Sequence, residues 1–399
     1  MNIQQAYQAI SQEQVPYYRK YTYDKPLIMS IETYEKTKLL GKVLNKAILY
    51  FVEHYLDYQD IMPLDERTLQ ILSICEKYPF RTGMYRTDFV IDHNSRLKII
   101  EMTTRQPLNG YFISGFTSQI GEQESNQLGI KEMINDYPRF LQYLQDDFFK
   151  SKKVRIIKGN ERLGDFKTYC KLFSLANDID FKVIDLENIF EECADLYDAM
   201  IIEELNFPEI KALPDDLIEQ LTAGGIHNDF RNILLVHDKR FFEVLTESRF
   251  MEAALTQEEQ HLLKKFTIPS YSIYTHPEIF AEAYKSKDDW IIKPYNCGKS
   301  EGVKAGCVTS KEEWESQFKS DSIGNMILQP MVRQRKFHGT IGDEGRDDYI
   351  VGTLLYFNDE YYGPGIYRAS SYIVTNIIDD RKVAQVVAVR DNSFADITI

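Results

Sequence analysis

The chain has 399 residues, of which 43% are hydrophobic and 27% charged, and its formal net charge is −14 at pH 7. A chain of this length predicts two or three lobes around a cleft, and its apolar content excludes a disordered protein. The acidic balance argues against a nucleic-acid surface, which needs clustered Lys and Arg to neutralise phosphates. The five scattered cysteines lack CxxC spacing, the first residues carry no signal-peptide pattern, and no apolar run reaches membrane-spanning length. We therefore expect a soluble cytoplasmic protein with reduced thiols and no nucleic-acid or membrane partner.

The first two predicted segments are residues 1–83 and 84–150. The first is predicted to be helical, because apolar residues from Leu39 to Val52 recur at intervals of three and four. The second begins with two short apolar strands around a polar turn, which predicts a hairpin. A Gly- and Ser-containing loop over 108–121 is predicted to follow, and then a helical stretch.

The third predicted segment, residues 151–238, alternates strands with helices, and its last strand is expected at 233–238. Such alternation predicts a parallel sheet covered by helices, so the fold class is α/β. No GxGxxG follows the first strand, which leaves little support for a dinucleotide cofactor. The fourth segment, residues 239–399, is predicted to contain a helical stretch, a strand with a Gly-rich turn and further strands.

The hairpin carries the strongest set of candidate functional residues. Arg86 and Asp88 lie two apart on its first strand, and Glu101 and Thr103 lie two apart on its second, so alternation places all four on one face. Two carboxylates on paired strands suit Mg²⁺, whose other positions go to water and phosphate oxygens. Arg86 could grip a phosphate. A surface ion pair is the simpler explanation of Arg-x-Asp alone, but the apolar flanks indicate a buried hairpin, where such acids are costly without a cation.

Three further elements carry weaker signals. Lys293 ends a strand before a glycine loop with Gly298 and Gly302, which are the ingredients of a phosphate cradle beside the basic residues Lys299 and Lys304. Lys239 follows an apolar run and could reach the same phosphates, although a solvent-exposed helix start explains it equally well. The strand that ends in Gln329, Met331 and Val332 could pair with an adenine edge, although a core strand is the simpler explanation.

Taken together, these elements resemble the ATP-grasp fold. The thirteen-residue interval from Asp88 to Glu101 is similar to that of D-alanine:D-alanine ligase and its relatives. In those enzymes the motif closes the domain, whereas here it precedes the lysines. That order resembles the circularly permuted ATP-grasp of glutathionylspermidine synthetase and, more distantly, eukaryotic glutathione synthetase. The first also has a proline six residues after the Glu and a late G-x-x-R-x-S segment, matched here by Pro107 and by Gly365, Arg368 and Ser370.

The resemblance implies two α+β subdomains that hold ATP, with the parallel-sheet lobe beside them. It implies Mg²⁺ ligands at Asp88 and Glu101, with Thr103 where the family has an Asn that is the better donor. It further implies phosphoryl contacts from Arg86 and Arg368, and ATP contacts from Lys239, Lys293 and the adenine hinge at Gln329–Val332. The chain departs from several relatives in having no acid between Gln329 and Gly342 for the ribose.

The activity so implied is an ADP-forming carboxylate–amine ligase that works through an acyl phosphate, with small-molecule acid and amine substrates. The loop beside the hairpin supplies the candidate substrate residues Arg105, Asn109, Tyr111 and Ser114. Two alternatives stay open: acyl transfer to the thiol of a carrier protein, and a non-catalytic nucleotide-binding module. The sequence does not decide the oligomeric state, and a homodimer is one option.

Overall fold

The structure is a computed structural model that describes residues 1–160, 165–296, 298, 300–375, 379 and 381–399. Cys297 and Lys299 lie outside the described residues. The described chain is a mixture of helices and several sheets, as the α/β prediction requires. No helix in this part of the chain is both long enough and apolar enough to cross a membrane.

The secondary-structure elements are numbered in chain order. The helices are α1 Ile3–Arg19, α2 Ile31–His54, α3 Glu66–Cys75, α4 Tyr111–Leu128, α5 Tyr137–Tyr143, α6 Phe166–Leu175, α7 Phe207–Ala212, α8 Asp215–Gly224, α9 Phe241–Thr246, α10 Ser248–Ala254, α11 Gln257–Phe266, α12 Pro277–Lys285 and α13 Lys311–Lys319. The strands are β1 Leu27–Ser30, β2 Met84–Ile91, β3 Leu97–Thr103, β4 Lys153–Lys158, β5 Asp180–Asp185, β6 Met200–Glu204, β7 Ile226–His227, β8 Tyr271–Ser272, β9 Trp290–Pro294, β10 Lys304–Ala305, β11 Met326–Pro330, β12 Lys336–Ile341, β13 Glu344–Phe357, β14 Glu360–Ser370, β15 Arg381–Val383 and β16 Gln385–Ala388.

An antiparallel sheet joins the predicted hairpin to the C-terminal strands. Its order is β15-β14-β13-β2-β3, with β12 also paired to β13. One edge of the long strand β13 pairs with two strands in turn. Its first six residues pair with β12 and its last seven with β2. The hairpin therefore belongs to one sheet with strands more than two hundred residues further along the chain.

A second antiparallel sheet, of order β10-β9-β11-β8, carries Lys293. Helices α12 and α13 cover it, and it has a small core of its own built on Phe280, Trp290, Trp314 and Leu328. Because this core is separate from the two larger ones, the sheet forms a distinct layer that faces the hairpin.

The predicted parallel lobe is present, with the order β5-β4-β6-β7 and parallel pairing throughout. Its fourth strand is β7, so the predicted strand at 233–238 was wrong. Residues Asn232–Val236 instead form a π-helical turn that is fully buried. A short apolar run looks the same to periodicity analysis whether it is a buried strand or a buried helical turn.

The predicted loop at 108–121 was also wrong, because helix α4 occupies most of it and ends near where a helix was expected to begin. The glycines that suggested a loop serve close packing instead. A Cβ on Gly121 would lie 2.4 Å from the carbonyl oxygen of Gln385, and one on Gly115 would lie 2.3 Å from the Tyr137 ring. At these two positions glycine lets the helix approach its neighbours, which sequence alone does not distinguish from a turn.

The predicted packing helix in the first segment is α2, whose apolar stripe from Leu40 to Val52 is buried as expected. Ser30 caps it by accepting a hydrogen bond from the main-chain N–H of Thr33. The first residue of the predicted stripe, Leu39, is exposed instead. Helix α2 packs against β14, and α1 packs against α4 and α6, so the N-terminal helices support the sheets from outside the cleft.

Candidate active site

A cleft of about 670 Å³ opens between the six-stranded sheet, the sheet that carries Lys293 and the loop that follows β3. Most of the residues singled out from the sequence line it, although they come from distant parts of the chain. These are Arg86, Asp88, Glu101, Thr103, Arg105, Asn109, Lys293, Gly298, Gln329, Met331, Val332 and Arg368.

The hairpin presents its four polar residues as two cross-strand pairs. Asp88 lies directly opposite Glu101, and Arg86 lies directly opposite Thr103. The register shifts immediately after Asp88, where Phe89 pairs with Ile99. Without this shift, the register of Val90 with Lys98 would continue to Asp88 opposite Ile100. Alternation alone therefore does not bring the two acids together, and the irregularity in the hairpin does.

Three cations contact the two acids, one from the hairpin itself and two from other parts of the chain. Arg368 on β14 places its Nη2 atom 2.5 Å from Oδ2 of Asp88, and the Nε atom of Arg86 lies 3.5 Å from Oδ1 of the same carboxylate. Glu101 is paired with Lys239, with 3.6 Å between Oε1 and Nζ. Asp88 is only 7% exposed, and a carboxylate so buried is costly unless it is paired.

Lys293 reaches the hairpin from the facing sheet. Its ammonium group donates to the main-chain oxygen of Ile100 at 3.4 Å, and the residue is only 3% exposed. The pKa of Lys293 is lowered to about 8, chiefly by burial and also by the positive charge of Lys239, whereas Glu101 and Asp88 act to raise it. The two lysines and the two acids therefore share one electrostatic environment.

Lys239 does not line the cleft, but its position explains how it reaches Glu101. It lies between the π-helical turn and α9, and its main-chain N–H donates to the carbonyl of Tyr295 at 3.0 Å. The side chain is 3% exposed, so the expectation of a solvent-exposed helix start does not hold. Its neighbours Asp238 and Arg240 form a buried ion pair at 2.6 Å that fixes the segment.

The oxygen donors at the hairpin suit a hard divalent cation that keeps water and phosphate ligands. The Oδ1 atom of Asp88 is buried and has no hydrogen-bond partner among the described residues, although Arg86 is nearby. No group of three or more His, Cys, Asp or Glu side chains with metal-site geometry occurs in the described part of the chain. The protein therefore offers two carboxylates and the Thr103 hydroxyl, and a bound cation would take its remaining ligands from phosphate and water.

The glycine loop and the predicted adenine hinge are only partly at the cleft. Gly298 lines it, whereas Gly302 has a φ of +68° and packs against Pro294, so its role is to shape the turn. The Gln329 side chain is buried and donates to Ser270 at 2.8 Å. The main-chain N–H of Met331 donates to the main-chain carbonyl of Asp289 at 2.7 Å. That N–H group is therefore already bonded within the protein and is not available to an adenine edge. Met331 and Val332 nevertheless line the cleft.

Two of the four predicted substrate residues are not at the cleft in the structure. Tyr111 donates its hydroxyl to the carbonyl of Tyr356 at 2.6 Å and lies in the core. The hydroxyl of Ser114 donates to the carbonyl of Gly110, one turn earlier in α4. Both residues lie in α4 and are buried, whereas Arg105 and Asn109 precede the helix and line the cleft.

Asp165 is a residue that sequence analysis missed. It belongs to the parallel lobe, yet its Oδ2 atom accepts the main-chain N–H groups of Gly110 at 2.7 Å and Phe112 at 3.2 Å at the start of α4. Gly110 has a φ of +91°. Asp165 therefore holds the end of the loop whose Asn109 carbonyl accepts from Arg86 at 2.9 Å. No local pattern signals this contact, because more than fifty residues separate its partners.

The burial of Asp165 predicts a pH effect on stability. Burial raises the pKa of its carboxyl group to about 7, although the main-chain N–H groups oppose the shift. The folded state then keeps a proton that the unfolded state releases near pH 4, so this group makes the fold less stable as pH rises towards 7. The free energy of unfolding of the wild type is expected to fall by about 2–3 kcal/mol from pH 5 to pH 8 because of this group. Asp165→Asn should not show this fall when both proteins are unfolded in urea.

The exposed Asp343 provides the control for this measurement, because Asp343→Asn changes the same charge on the surface. A difference between wild type and Asp165→Asn that stays constant from pH 5 to pH 8 would contradict the assignment.

Known proteins similar to this chain include a family model and a solved structure. The model described as the AnkG N-terminal domain matches residues 38–235. No curated protein sequence matches the chain. A glutathione synthetase-like effector from Globodera pallida, solved in its apo form, superposes with a TM-score of 0.59 at 10% identity, over 92% of this chain and 90% of that one. At this identity the similarity is one of fold, and it extends over nearly the whole chain.

Proposed function

We propose that the protein is an ATP- and Mg²⁺-dependent ligase that joins a carboxylate to an amine through an acyl phosphate. The observation that carries the proposal is the opposition of Asp88 and Glu101 to Lys293 across one cleft, with Arg86 and Arg368 beside the acids. This set has the charges that a nucleotide triphosphate and its cation need, within a chain whose net charge is −14.

The proposed fold type is a circularly permuted ATP-grasp. Chain order supports it, because the acids at 84–103 precede Lys239 and Lys293 while sharing a sheet with β13 and β14 from the C-terminal part. The fold similarity to a glutathione synthetase-like protein supports it as well.

The proposed reaction has two steps. In the first, an oxygen of the substrate carboxylate attacks the γ-phosphorus of ATP, and the bond to the ADP oxygen breaks with its electron pair. In the second, an amine nitrogen attacks the acyl carbon, the bond to the phosphate oxygen breaks, and the proton of the amine leaves with hydrogen phosphate. Positioning and charge neutralisation supply most of the rate in such transfers.

The chain's own residues have distinct roles in this scheme. Lys293 holds phosphate oxygens, and Arg86 and Arg368 bind the charge that grows on the transferred group. Lys239, which lies behind the cleft wall, acts on the nucleotide through its ion pair with Glu101. Asp88, Glu101 and Thr103 would hold Mg²⁺, which when bound neutralises charge on the phosphates. Arg105 and Asn109 line the part of the cleft beside the hairpin and are the proposed contacts to the acid substrate.

Two other functions remain to be tested against this one. Transfer to the thiol of a carrier protein would use the same first step. A nucleotide-binding module without catalysis is favoured by Thr103, whose hydroxyl is a shorter donor than the Asn of related enzymes. The similar Globodera pallida protein is described as an effector, which is compatible with either.

The decisive experiment is an ADP-release screen over amino acids and short peptides as paired acid and amine, with Mg²⁺ and ATP. Ligase activity requires ADP release that depends on both partners. Release that depends on a pantetheine thiol would establish the carrier alternative, and tight ATP binding without release across the whole panel would establish the binding module.

The Lys293 pKa predicts how ATP affinity depends on pH. Because the pKa is lowered to about 8, the ammonium group loses its proton as pH rises through that value, and its attraction for phosphate is lost with it. ATP affinity, measured by calorimetry without a second substrate, is expected to fall by up to about tenfold per pH unit above pH 8. Lys293→Met should bind weakly with no such slope, and an equal slope in both proteins would contradict the prediction.

A further inference from the structure

We infer that Asp165, from the parallel lobe, positions Arg86 for phosphoryl transfer by holding the peptide group that joins Asn109 to Gly110. The inference rests on the proposed function and adds a positioning residue to its first step. Asp165 itself does not line the cleft, whereas Arg86 and Asn109 do.

Arg86 is held at the cleft by its contacts with Asn109 and Asp88. Its Nη1 atom donates to the carbonyl oxygen of Asn109 at 2.9 Å, and its Nε atom lies 3.5 Å from Oδ1 of Asp88. Because Asp88 is also a proposed Mg²⁺ ligand, its contact with the arginine has to be shared with the cation. The Asn109 carbonyl has no such second task, so it can set the direction of the guanidinium during transfer. A long side chain without a fixed partner spreads over many rotamers, whereas phosphoryl transfer depends on placement.

The carbonyl that receives Arg86 belongs to the same peptide group as the Gly110 N–H, and Asp165 binds that N–H. The Oδ2 atom of Asp165 accepts it at 2.7 Å and accepts the N–H of Phe112 at 3.2 Å. The described chain has no cis peptide bond, so the N–H and the carbonyl point in opposite directions from one rigid plane. Fixing the N–H on Asp165 therefore fixes the carbonyl. A carboxylate on the N–H also polarises the group, which makes its carbonyl a stronger acceptor.

The turn that carries this peptide group has a conformation that its own residues disfavour. Gln106 and Leu108 have φ values of +68° and +70°, and Gly110 has one of +91°. Left-handed backbone at a residue other than glycine is costly, and it persists only where the surrounding structure imposes it. A Cβ at Gly110 would lie 3.0 Å from Nη1 of Arg86, so the glycine also lets the guanidinium approach. The turn therefore depends on contacts from outside, and Asp165 supplies one.

Asp165 is costly to bury, and Arg86 offsets part of that cost. The residue is 0% exposed, and its Oδ1 atom has no hydrogen-bond partner among the described residues. Burial raises the pKa of Asp165 to about 7, whereas the main-chain N–H groups and the positive charge of Arg86 act to lower it. The acid and the arginine therefore interact through space as well as through the peptide group between them.

A helix cap without any role in catalysis is the alternative, because Asp165 accepts N–H groups at the start of α4. The two explanations differ in what Arg86 contributes. The loss of a mere cap has the same effect whether or not residue 86 carries a guanidinium. A positioning residue acts on the rate through Arg86, so its loss has no further effect once the guanidinium is gone.

The experiment is a double-mutant cycle between Asp165 and Arg86, measured as ADP release with Mg²⁺, ATP and the acid–amine pair of the screen that reacts fastest. Asp165→Ala is expected to lower kcat roughly ten- to a hundredfold and to change the KM for ATP less than about threefold, because Arg86 binds charge that grows during transfer. In an Arg86→Met background the same change should lower kcat less than about threefold. Asp165→Asn keeps an acceptor for the N–H groups and should lower kcat by only about threefold.

Asp65→Ala is the control, because Asp65 caps α3 by accepting the main-chain N–H of Thr68 at 3.0 Å and does not line the cleft. It should lower the midpoint of urea unfolding and leave kcat unchanged. The same unfolding curves check that each variant of the cycle is folded.

Equal losses from Asp165→Ala in the wild-type and Arg86→Met backgrounds would overturn the inference, as would an unchanged kcat or a loss confined to the KM for ATP. If Asp165→Ala does not fold, the cycle is run with Asp165→Asn, and equal losses in both backgrounds, or none in either, have the same meaning. A wild type that releases no ADP with any pair would refute the proposed function, and this inference with it.

Discussion

Replacing Glu101 with glutamine is expected to lower ADP formation by at least about a thousandfold. The carboxylate lies opposite Asp88, and its Oε1 atom is 3.6 Å from Nζ of Lys239. Glutamine keeps the shape but has no negative charge to hold a cation or to balance the buried lysine. The measurement is acid-dependent ADP release at saturating ATP and Mg²⁺.

The fold should survive this change, because Glu101 lies at the cleft and is about a quarter exposed, with a side-chain exposure of 24%. Glu344, an exposed glutamate on the same sheet, gives the matched control, and Glu344→Gln should keep full activity. Undiminished turnover in Glu101→Gln would refute the metal assignment. Unfolding curves of the two variants distinguish a lost ligand from a lost fold.

Replacing Arg368 with methionine is expected to change catalysis and metal binding in opposite directions. Without the guanidinium, the transferred phosphoryl group loses a charge partner, so ADP formation should fall by about a thousandfold. In nucleotide-free protein, however, the same guanidinium occupies Oδ2 of Asp88 at 2.5 Å. Its removal leaves that carboxylate available, so Mn²⁺ affinity measured by electron paramagnetic resonance should rise by about tenfold.

Arg346→Met serves as the control, since Arg346 lies at a partly exposed position on β13 and pairs with Glu344. It should alter neither quantity. If Mn²⁺ binding weakens in Arg368→Met, the arginine does not compete with the cation, and the proposed sharing of Asp88 would be wrong. Arg368→Lys should retain part of the activity, because lysine keeps the charge but loses the two-pronged geometry.

Much of the hairpin could be predicted because its signals are local. Alternation over seven or eight residues predicts the two strands of the hairpin, β2 and β3. The pairing of Asp88 with Glu101 also needs the register shift after Asp88, which the spacing of the residues does not reveal. The parallel lobe was predictable for the same reason, since each strand and helix carries its own apolar period.

The errors fall where a distant contact overrides a local signal. Helix α4 begins after Gly110, whose main-chain N–H donates to Asp165 of the parallel lobe. Two glycines within the helix allow close packing against Gln385 and Tyr137. Tyr111 and Ser114 were assigned to the substrate because their helix was not foreseen. The run at 233–238 was predicted as a strand because an apolar stretch of that length fits either structure.

The sequence by itself determined the mixed α/β class, the hairpin that carries polar residues and the order of the acids before the lysines, because spacing and alternation carry that information. Only the tertiary structure decided which cations meet which acids, that Asp88 lies opposite Glu101, that Lys293 faces the hairpin, and that Asp165 holds the start of α4. Those facts depend on pairings across tens to hundreds of residues, such as β2 with β13. They also depend on burial, which shifts the pKa of a lysine or an aspartate through its surroundings.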